Sequence, residues 1–253
     1  MSNILVIGGL GFIGHHLVNR LCADNNNVIV IDNSAPYTDP VIYKNRQKYI
    51  DVQIIDKDIC TVEKQDLSCS LDYVLHLGSY PNIKEIENNP SLGIASLTYG
   101  VFNSIELAKN SGAKRFIYSS SSMVYGDFTQ TPCPESHPRN PQSIYGIYKK
   151  AAEDLVRSKC TQYNIEYTII RPIAVYGPND NYKRVVSKFF NLALANKPLP
   201  VRGNTILDAT YVLDVVQGFT KSVQNANSNI IINISAGIGC LLYTSPSPRD
   251  SSK

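Results

Sequence analysis

The residues best suited to chemistry are a tyrosine and a lysine four positions apart, in the segment Tyr145-Gly-Ile-Tyr-Lys149. On a helix, that spacing puts both side chains on one face. A phenol has an unperturbed pKa of about 10, too high for a base at neutral pH. An ammonium beside it favours the phenolate and is expected to lower that value by roughly 1–3 pH units. Tyr145 could then take a proton from a substrate hydroxyl while hydride leaves the same carbon, and a serine hydroxyl could orient the oxygen. Serines are at hand in Ser119-Ser-Ser-Ser-Met-Val-Tyr-Gly126, directly after the apolar run ending at Tyr118. Neither pattern is specific. A second Tyr-x-x-x-Lys pair, Tyr80 and Lys84, has Pro81 directly after its tyrosine and is expected in a loop, without a catalytic role. A serine run after a strand is commonly a turn.

What raises Tyr145 and Lys149 is a glycine turn near the N-terminus. The run Asn3–Ile7 leads into Gly8-Gly-Leu-Gly11-Phe12-Ile13-Gly14, and a helical pattern follows. Gly8, Gly11 and Gly14 allow a tight turn, close backbone approach to a pyrophosphate, and close packing of helix on strand. The helix start offers N–H groups and a positive dipole end to phosphates. Asp32 ends the second apolar run, roughly twenty residues on, where a carboxylate can bind a ribose diol. Asn33 and Ser34 follow it, not an arginine, so NAD is expected over NADP.

These residues need elements to hold them. Ile4–Ile7, Val28–Ile31, Val52–Ile55, Tyr73–Leu77, Phe116–Tyr118 and Tyr167–Ile170 read as strands. They are continuous and β-branched rather than alternating, as in a parallel sheet covered on both faces. Phe12–Leu21, Pro90–Asn110 and Ile144–Lys159 read as the helices between them. Strand and helix in alternation predict an α/β, Rossmann-type doubly wound parallel sheet. The proline-rich stretch 129–142 is a loop. From Arg171 the rhythm loosens, and a small, incomplete substrate lobe is expected over 171–239, interleaved with the last sheet strands, after a dinucleotide-binding domain over 1–170.

Composition excludes other classes. Apolar residues make up 43% and charged residues 18% of the 253, ordinary for a globular protein. The net charge of +3 is scattered, which argues against nucleic acid. No apolar run is long enough to span a bilayer, and the first strand leaves no room for a signal peptide. Six separated cysteines show no zinc spacing. A cytoplasmic setting with reduced thiols and no metal is expected.

Taken together, the chain resembles the extended short-chain dehydrogenase/reductase family, in its NAD-dependent epimerase/dehydratase group. The resemblance runs from Asn3 to about Gly239. It includes His76-Leu77-Gly78-Ser79 after the fourth strand, Asp58-Ile59, Arg171-Pro-Ile-Ala-Val-Tyr-Gly-Pro178, and Tyr211-Val-Leu-Asp214. It implies Ser121 as catalytic serine, Tyr145 as base and Lys149 as its helper, with Ser119, Ser120 and Ser122 supporting. It places Asp58 and Ile59 against adenine, and Leu77, Gly78 and Ser79 along the cofactor. Three positions depart from relatives that act on nucleotide sugars: Ala174 and Leu97 stand where asparagine is usual, and Leu207 where arginine is.

The resemblance implies an epimerase acting on a sugar hydroxyl, with the sugar or nucleotide sugar as partner and a homodimer left open. The alternatives are a dehydrogenase or reductase with exchanging cofactor, and a non-catalytic NAD-binding protein, which would have no use for the serine, tyrosine and lysine together. Relatives that eliminate water carry Asp-Glu directly after the catalytic hydroxyl residue, and decarboxylating ones keep a glutamate at the second position. This chain has Ser122 and Met123, and SSSSMVYG is similar to the SSSATVYG of UDP-galactose 4-epimerases. Residues 240–253 read CLLYTSPSPRDSSK, without periodicity, and match the translation of a sequencing-library adapter. They are expected to be a non-native tail.

Overall fold

Seven runs of apolar residues line up as one parallel sheet, in the order β10-β6-β5-β4-β1-β2-β3, in the computed structural model. The structure describes residues 1–34, 39–80, 83–181, 183–200, 206–225 and 227–241. The first half of the sheet comprises β1 (Asn3–Ile7), β2 (Asn27–Ile31) and β3 (Gln53–Ile55), joined through α1 (Phe12–Ala23) and α2 (Pro40–Gln47). Next come β4 (Tyr73–His76), α3 (Ile83–Asn88), α4 (Ser91–Ile94) and α5 (Gly100–Asn110). Then follow β5 (Arg115–Ser119), α6 (Ile144–Gln162) and β6 (Glu166–Pro172). The remainder is β7 (Ala174–Tyr176), α7 (Val185–Leu194), β8 (Ile206–Leu207), β9 (Ala209–Tyr211), α8 (Val212–Gln224), β10 (Ile230–Ile234) and β11 (Cys240–Leu241).

Alternate residues of the strands feed two separate cores. Leu5, Ile7, Val74, Phe116 and Ile169 pack with Val101 and Ile105 of α5 and Ala152 and Val156 of α6. Ile4, Val6, Val30, Ile117 and Ile170 face the other way, onto Leu17, Val18 and Leu21 of α1 and Val215 and Phe219 of α8. Each central strand is therefore buried on both sides, which is why its sequence is continuously apolar. Among the described residues no helix is long and apolar enough to cross a membrane.

Three expectations change in detail. The helix expected over Pro90–Asn110 runs on without interruption from Ser91 but is not α throughout: α4 and α5 are joined by one π-helical segment, Ala95–Tyr99. The wider turn brings Leu97 into a fully buried position, in a cluster with Tyr80 and Ile86, while Gly100 abuts Ile59. Lys84 lies on the short helix α3 rather than in a loop. The chain beyond Arg171 contributes to the sheet itself. α8 covers the same face of the sheet as α1 and β10 extends the sheet beside β6, while β7 pairs with β9 outside it. Cys240 and Leu241, assigned to the non-native tail, pair antiparallel with Leu207 and Ile206. The rest of that tail lies outside the described residues.

Because Phe219 is fully buried in the core shared with α1, Phe219→Ala should cost roughly 3–5 kcal/mol in urea unfolding. A loss under about 1 kcal/mol would show that α8 does not belong to this core.

Candidate active site

At the C-terminal end of β1, Gly8 adopts φ +77°, and a Cβ there would lie 2.6 Å from the Gly78 amide nitrogen. The loops after β1 and β4 can touch only as glycines. A Cβ on Gly14 would lie 2.1 Å from the Gly8 carbonyl oxygen, so α1 also packs onto the turn through a glycine. Gly11 starts α1 with no side-chain cap, and no acidic residue occupies the first turn. The helix thus keeps its N–H groups and positive end for an anion, in a cradle that side chains would fill. Phe12 and Ile13 pack beneath, against the core.

Asp32 is placed at this cradle. Its Oδ2 accepts from the Leu10 amide at 2.9 Å and its Oδ1 from the Ser34 amide at 3.2 Å. Burial raises the Asp32 pKa, and these two hydrogen bonds oppose the rise. The carboxylate therefore shapes the glycine turn. Asn33 Nδ2 donates to Asp58 Oδ2 at 3.2 Å, which brings Asn33, Asp58 and Ile59 onto one wall. Leu77, Gly78 and Ser79 stand opposite, the Leu77 amide donating to the Ile7 carbonyl at 2.9 Å.

Sequence reasoning missed a clasp behind the turn. Arg46 of α2 is buried, 4% exposed, and donates to the Leu10 carbonyl at 3.4 Å and to the Asn179 carbonyl at 3.1 and 2.8 Å. His15 Nδ1 lies 3.0 Å from the Gly11 carbonyl, which accepts, so the ring's Nε2 is left to accept from Asn179 at 3.3 Å. That neutral tautomer agrees with a pKa lowered to about 4, by burial first and by His16 next. His16 holds the Pro178 carbonyl at 3.0 Å. The loop after β7 is so tied to the cradle. No sequence motif signals the tie, because Arg46 lies in a short, mostly polar helix.

Tyr145 and Lys149 lie on α6 beside the end of β5, and Ser121 opens the turn that follows that strand. Ser143 caps α6 by accepting from the Gly146 amide at 3.0 Å, and Glu87 of α3 accepts from the Ile144 amide at 2.8 Å. Tyr145 sits in this fixed first turn. Gly146 follows because a Cβ there would lie 2.6 Å from the Met123 carbonyl oxygen. The helix can therefore press against the 3-10 turn Ser122–Val124, whose cap is Ser121. Ser121 Oγ accepts from the Met123 amide at 3.2 Å. Lys149, 2% exposed, donates to the Ser119 carbonyl at 2.7 Å. Its Nζ lies 5.0 Å from the ring centre of Tyr118 and 5.7 Å from that of Tyr145. Ser120 instead turns inward, donating to Glu153 at 2.5 Å. The second pair separates: the Tyr80 hydroxyl donates to Glu85 Oε2 at 2.5 Å.

Electrostatics corrects one expectation. Burial pushes the Tyr145 hydroxyl up to about 12, with Arg184 pulling the other way. Burial likewise takes Lys149 down to about 7, opposed by Glu153. The lysine is aimed at a carbonyl rather than at the phenol, and the apolar cluster of Leu97, Ile86 and Ile144 surrounds the tyrosine ring. Desolvation wins here over the charge pair. Arg184, whose guanidinium lies 5.7 Å from the Phe12 ring centre, is a further cation on this side, and no motif around it marks it out.

This arrangement sets a glycine cradle and the Asp32 carboxylate on the same sheet as a serine, a tyrosine and a lysine, and known proteins resemble the chain that carries it. The model of the NAD dependent epimerase/dehydratase family matches residues 4–235. A provisionally named UDP-glucose 4-epimerase of Methanocaldococcus jannaschii is 31% identical over 240 residues, 92% of this chain and 77% of that one. UDP-glucuronic acid decarboxylase 4 of Arabidopsis thaliana is 32% identical over 232 residues, 87% of this chain but 51% of that protein. Among solved structures, UDP-glucose 4-epimerase of Thermotoga maritima with UDP-glucose aligns at TM-score 0.85 and 28% identity, covering 94% of this chain and 78% of that one. The matched stretch contains the cradle, the end of β5 and the whole of α6, and the chain belongs to the NAD dependent epimerase/dehydratase family, with NAD as its cofactor.

Proposed function

We propose that the protein is an NAD-dependent epimerase that inverts a hydroxyl-bearing carbon of a nucleotide sugar. The observation that carries this reading is that α6, with Tyr145 and Lys149, packs through Gly146 on the turn opened by Ser121, whose next two residues, Ser122 and Met123, bear no carboxylate. Loss of water needs a base beside the new ketone and an acid for the departing hydroxyl. Those two positions supply neither, whereas inversion needs hydride and hydroxyl-proton transfer alone.

Gly8, Gly11 and Gly14 would hold the NAD pyrophosphate, Asp32 and Asn33 its ribose, and Asp58 and Ile59 its adenine. NAD, when bound, accepts a hydride from the sugar carbon and supplies it again. Ser121 orients the sugar oxygen, Tyr145 takes its proton and returns it, and Lys149 holds a positive charge beside the phenol. With Tyr145 near 12 in the free protein, that charge and the ordered oxygen are both needed before proton transfer. Arg184 supports a charged substrate such as a nucleoside diphosphate sugar. The epimerase names of the M. jannaschii and T. maritima relatives support the same class. Free thiols at Cys22, Cys60, Cys69, Cys133 and Cys160 fit a cytoplasmic setting.

The test is product mass from a panel of nucleotide sugars incubated with the protein and NAD. An unchanged mass is expected, with Tyr145→Phe slower by about 10²–10⁴-fold and Tyr80→Phe near the parent. A product lighter by one water, formed at a rate dependent on Tyr145, contradicts the reading. A second outcome follows from Lys149. Its folded pKa, about 7, lies below the ordinary lysine value of 10.5. Between those values the unfolded chain holds a proton that the folded protein releases, so raising the pH stabilises the fold. Below about 7 both states are charged and the cost of burying the ammonium is felt in full. Urea unfolding of parent and Lys149→Met should show the parent gaining on the variant from about pH 6.5 to about pH 9.5. A constant difference would mean that Lys149 titrates normally.

A further inference from the structure

The residue one turn beyond Lys149 is a glutamate with no exposure to solvent. Tyr145, Lys149 and Glu153 recur at spacings of four along α6 and share a face, with Glu153 the deepest. Both of its oxygens are used. Oε1 accepts from Ser120 Oγ at 2.5 Å and from Arg171 Nε at 2.8 Å. Oε2 accepts from Arg171 Nη2 at 2.6 Å and from Arg139 Nη1 at 3.1 Å. Arg171, itself 1% exposed at the side chain, spends its remaining donor on the Tyr125 hydroxyl at 2.7 Å and the Glu135 carbonyl at 3.1 Å. Tyr125 in turn donates to Asn233 of β10 at 2.7 Å.

A buried ion pair needs a carboxylate and a guanidinium. It does not need a serine from the catalytic segment. Three consecutive residues at the end of β5 have three different ties: the Ser119 carbonyl to Lys149, the Ser120 hydroxyl to Glu153, and Ser121 to its own turn. The strand end is thereby pinned twice to one face of α6, on either side of the Ser119–Ser120 peptide. Ser121, the next residue, has little freedom to move relative to Tyr145.

Resting on the function proposed above, we infer that Glu153 is a positioning residue for that reaction. It fixes the β5 terminus against α6 through Ser120 and, one helical turn from Lys149 on the same face, is the anion set against that lysine's ammonium. The groups facing Lys149 are Tyr145 and Glu153 on its own helix, Tyr118 on β5 and His76 on β4. Glu153 is the anion that opposes the effect of burial on Lys149. Arg171 and Arg139 lie against Glu153, so neutralising it leaves two cations near the lysine.

The experiment uses the full chain with NAD added, labelled with ε-¹³C lysine, the Lys149 resonance being assigned by its loss in Lys149→Met. In Glu153→Gln the Lys149 titration midpoint should fall by about one pH unit or more, and the activity limb that requires the charged lysine should move with it. In Ser120→Ala, which leaves the Arg171–Glu153 pair intact, kcat should fall by about tenfold or more with KM for the sugar unchanged. A Glu153→Gln midpoint equal to the parent's, together with a Ser120→Ala kcat within about twofold of it, would reduce Glu153 to a structural ion pair and overturn the inference. Should Glu153→Gln fail to fold, the Ser120→Ala kcat decides alone. If the parent turns over no nucleotide sugar, the proposed function fails separately, while the Lys149 midpoint still reports on Glu153.

Discussion

A carboxylate sealed from water is the constraint on which this fold turns. Glu153 sits between α6, β5 and β6, and its neighbours reach the β10 edge through Tyr125 and Asn233. Desolvating such a pair costs about as much as its attraction returns, so it adds little net stability over an apolar pair of the same volume. Removing one partner is different, and typically costs about 3–5 kcal/mol, because the other charge is stranded. The pair therefore acts as a lock on registration more than as a source of stability. It allows one arrangement of helix and strands, and that arrangement holds the end of β5, next to Ser121, against the face of α6 that carries Tyr145.

Close backbone approach is the second constraint, and it works at two places. Gly8 against Gly78 joins the loops at the ends of β1 and β4, and Gly146 against the Met123 carbonyl joins α6 to the turn after β5. In each case an added Cβ would collide with backbone, which cannot move aside. The glycine turn and the Ser121 turn against α6 are thus both built at the C-terminal ends of parallel strands of one sheet, where open α/β sheets bind ligands. Arg46 and the two histidines then carry the loop after β7 onto the cradle.

Most of this was legible wherever a physical requirement leaves a mark on spacing. Buried parallel strands must be continuously apolar, so Ile4–Ile7 and Val28–Ile31 stood out. The glycines and Tyr145–Lys149 follow from backbone geometry and helical periodicity. What was not legible depends on contacts distant in sequence. Arg46 reaches Asn179 across 133 positions, and nothing in a polar eight-residue helix announces it. Leu97 looked like a departure from relatives, yet a π-helical segment turns it into the apolar floor beneath Tyr145. The pKa of Tyr145 was misjudged because sequence shows the lysine's charge but hides its burial and its aim at Ser119.

Chemistry limited to hydride and hydroxyl-proton transfer is the central claim, and the fate of one hydrogen tests it. A nucleotide sugar carrying deuterium on the carbon that inverts would be turned over in ordinary water, and the product read by NMR. The account predicts deuterium retained on that same carbon, in inverted configuration, with no solvent hydrogen entering the neighbouring carbons. Solvent hydrogen at a carbon adjoining the inverted one would show proton abstraction beside a ketone, and would contradict it.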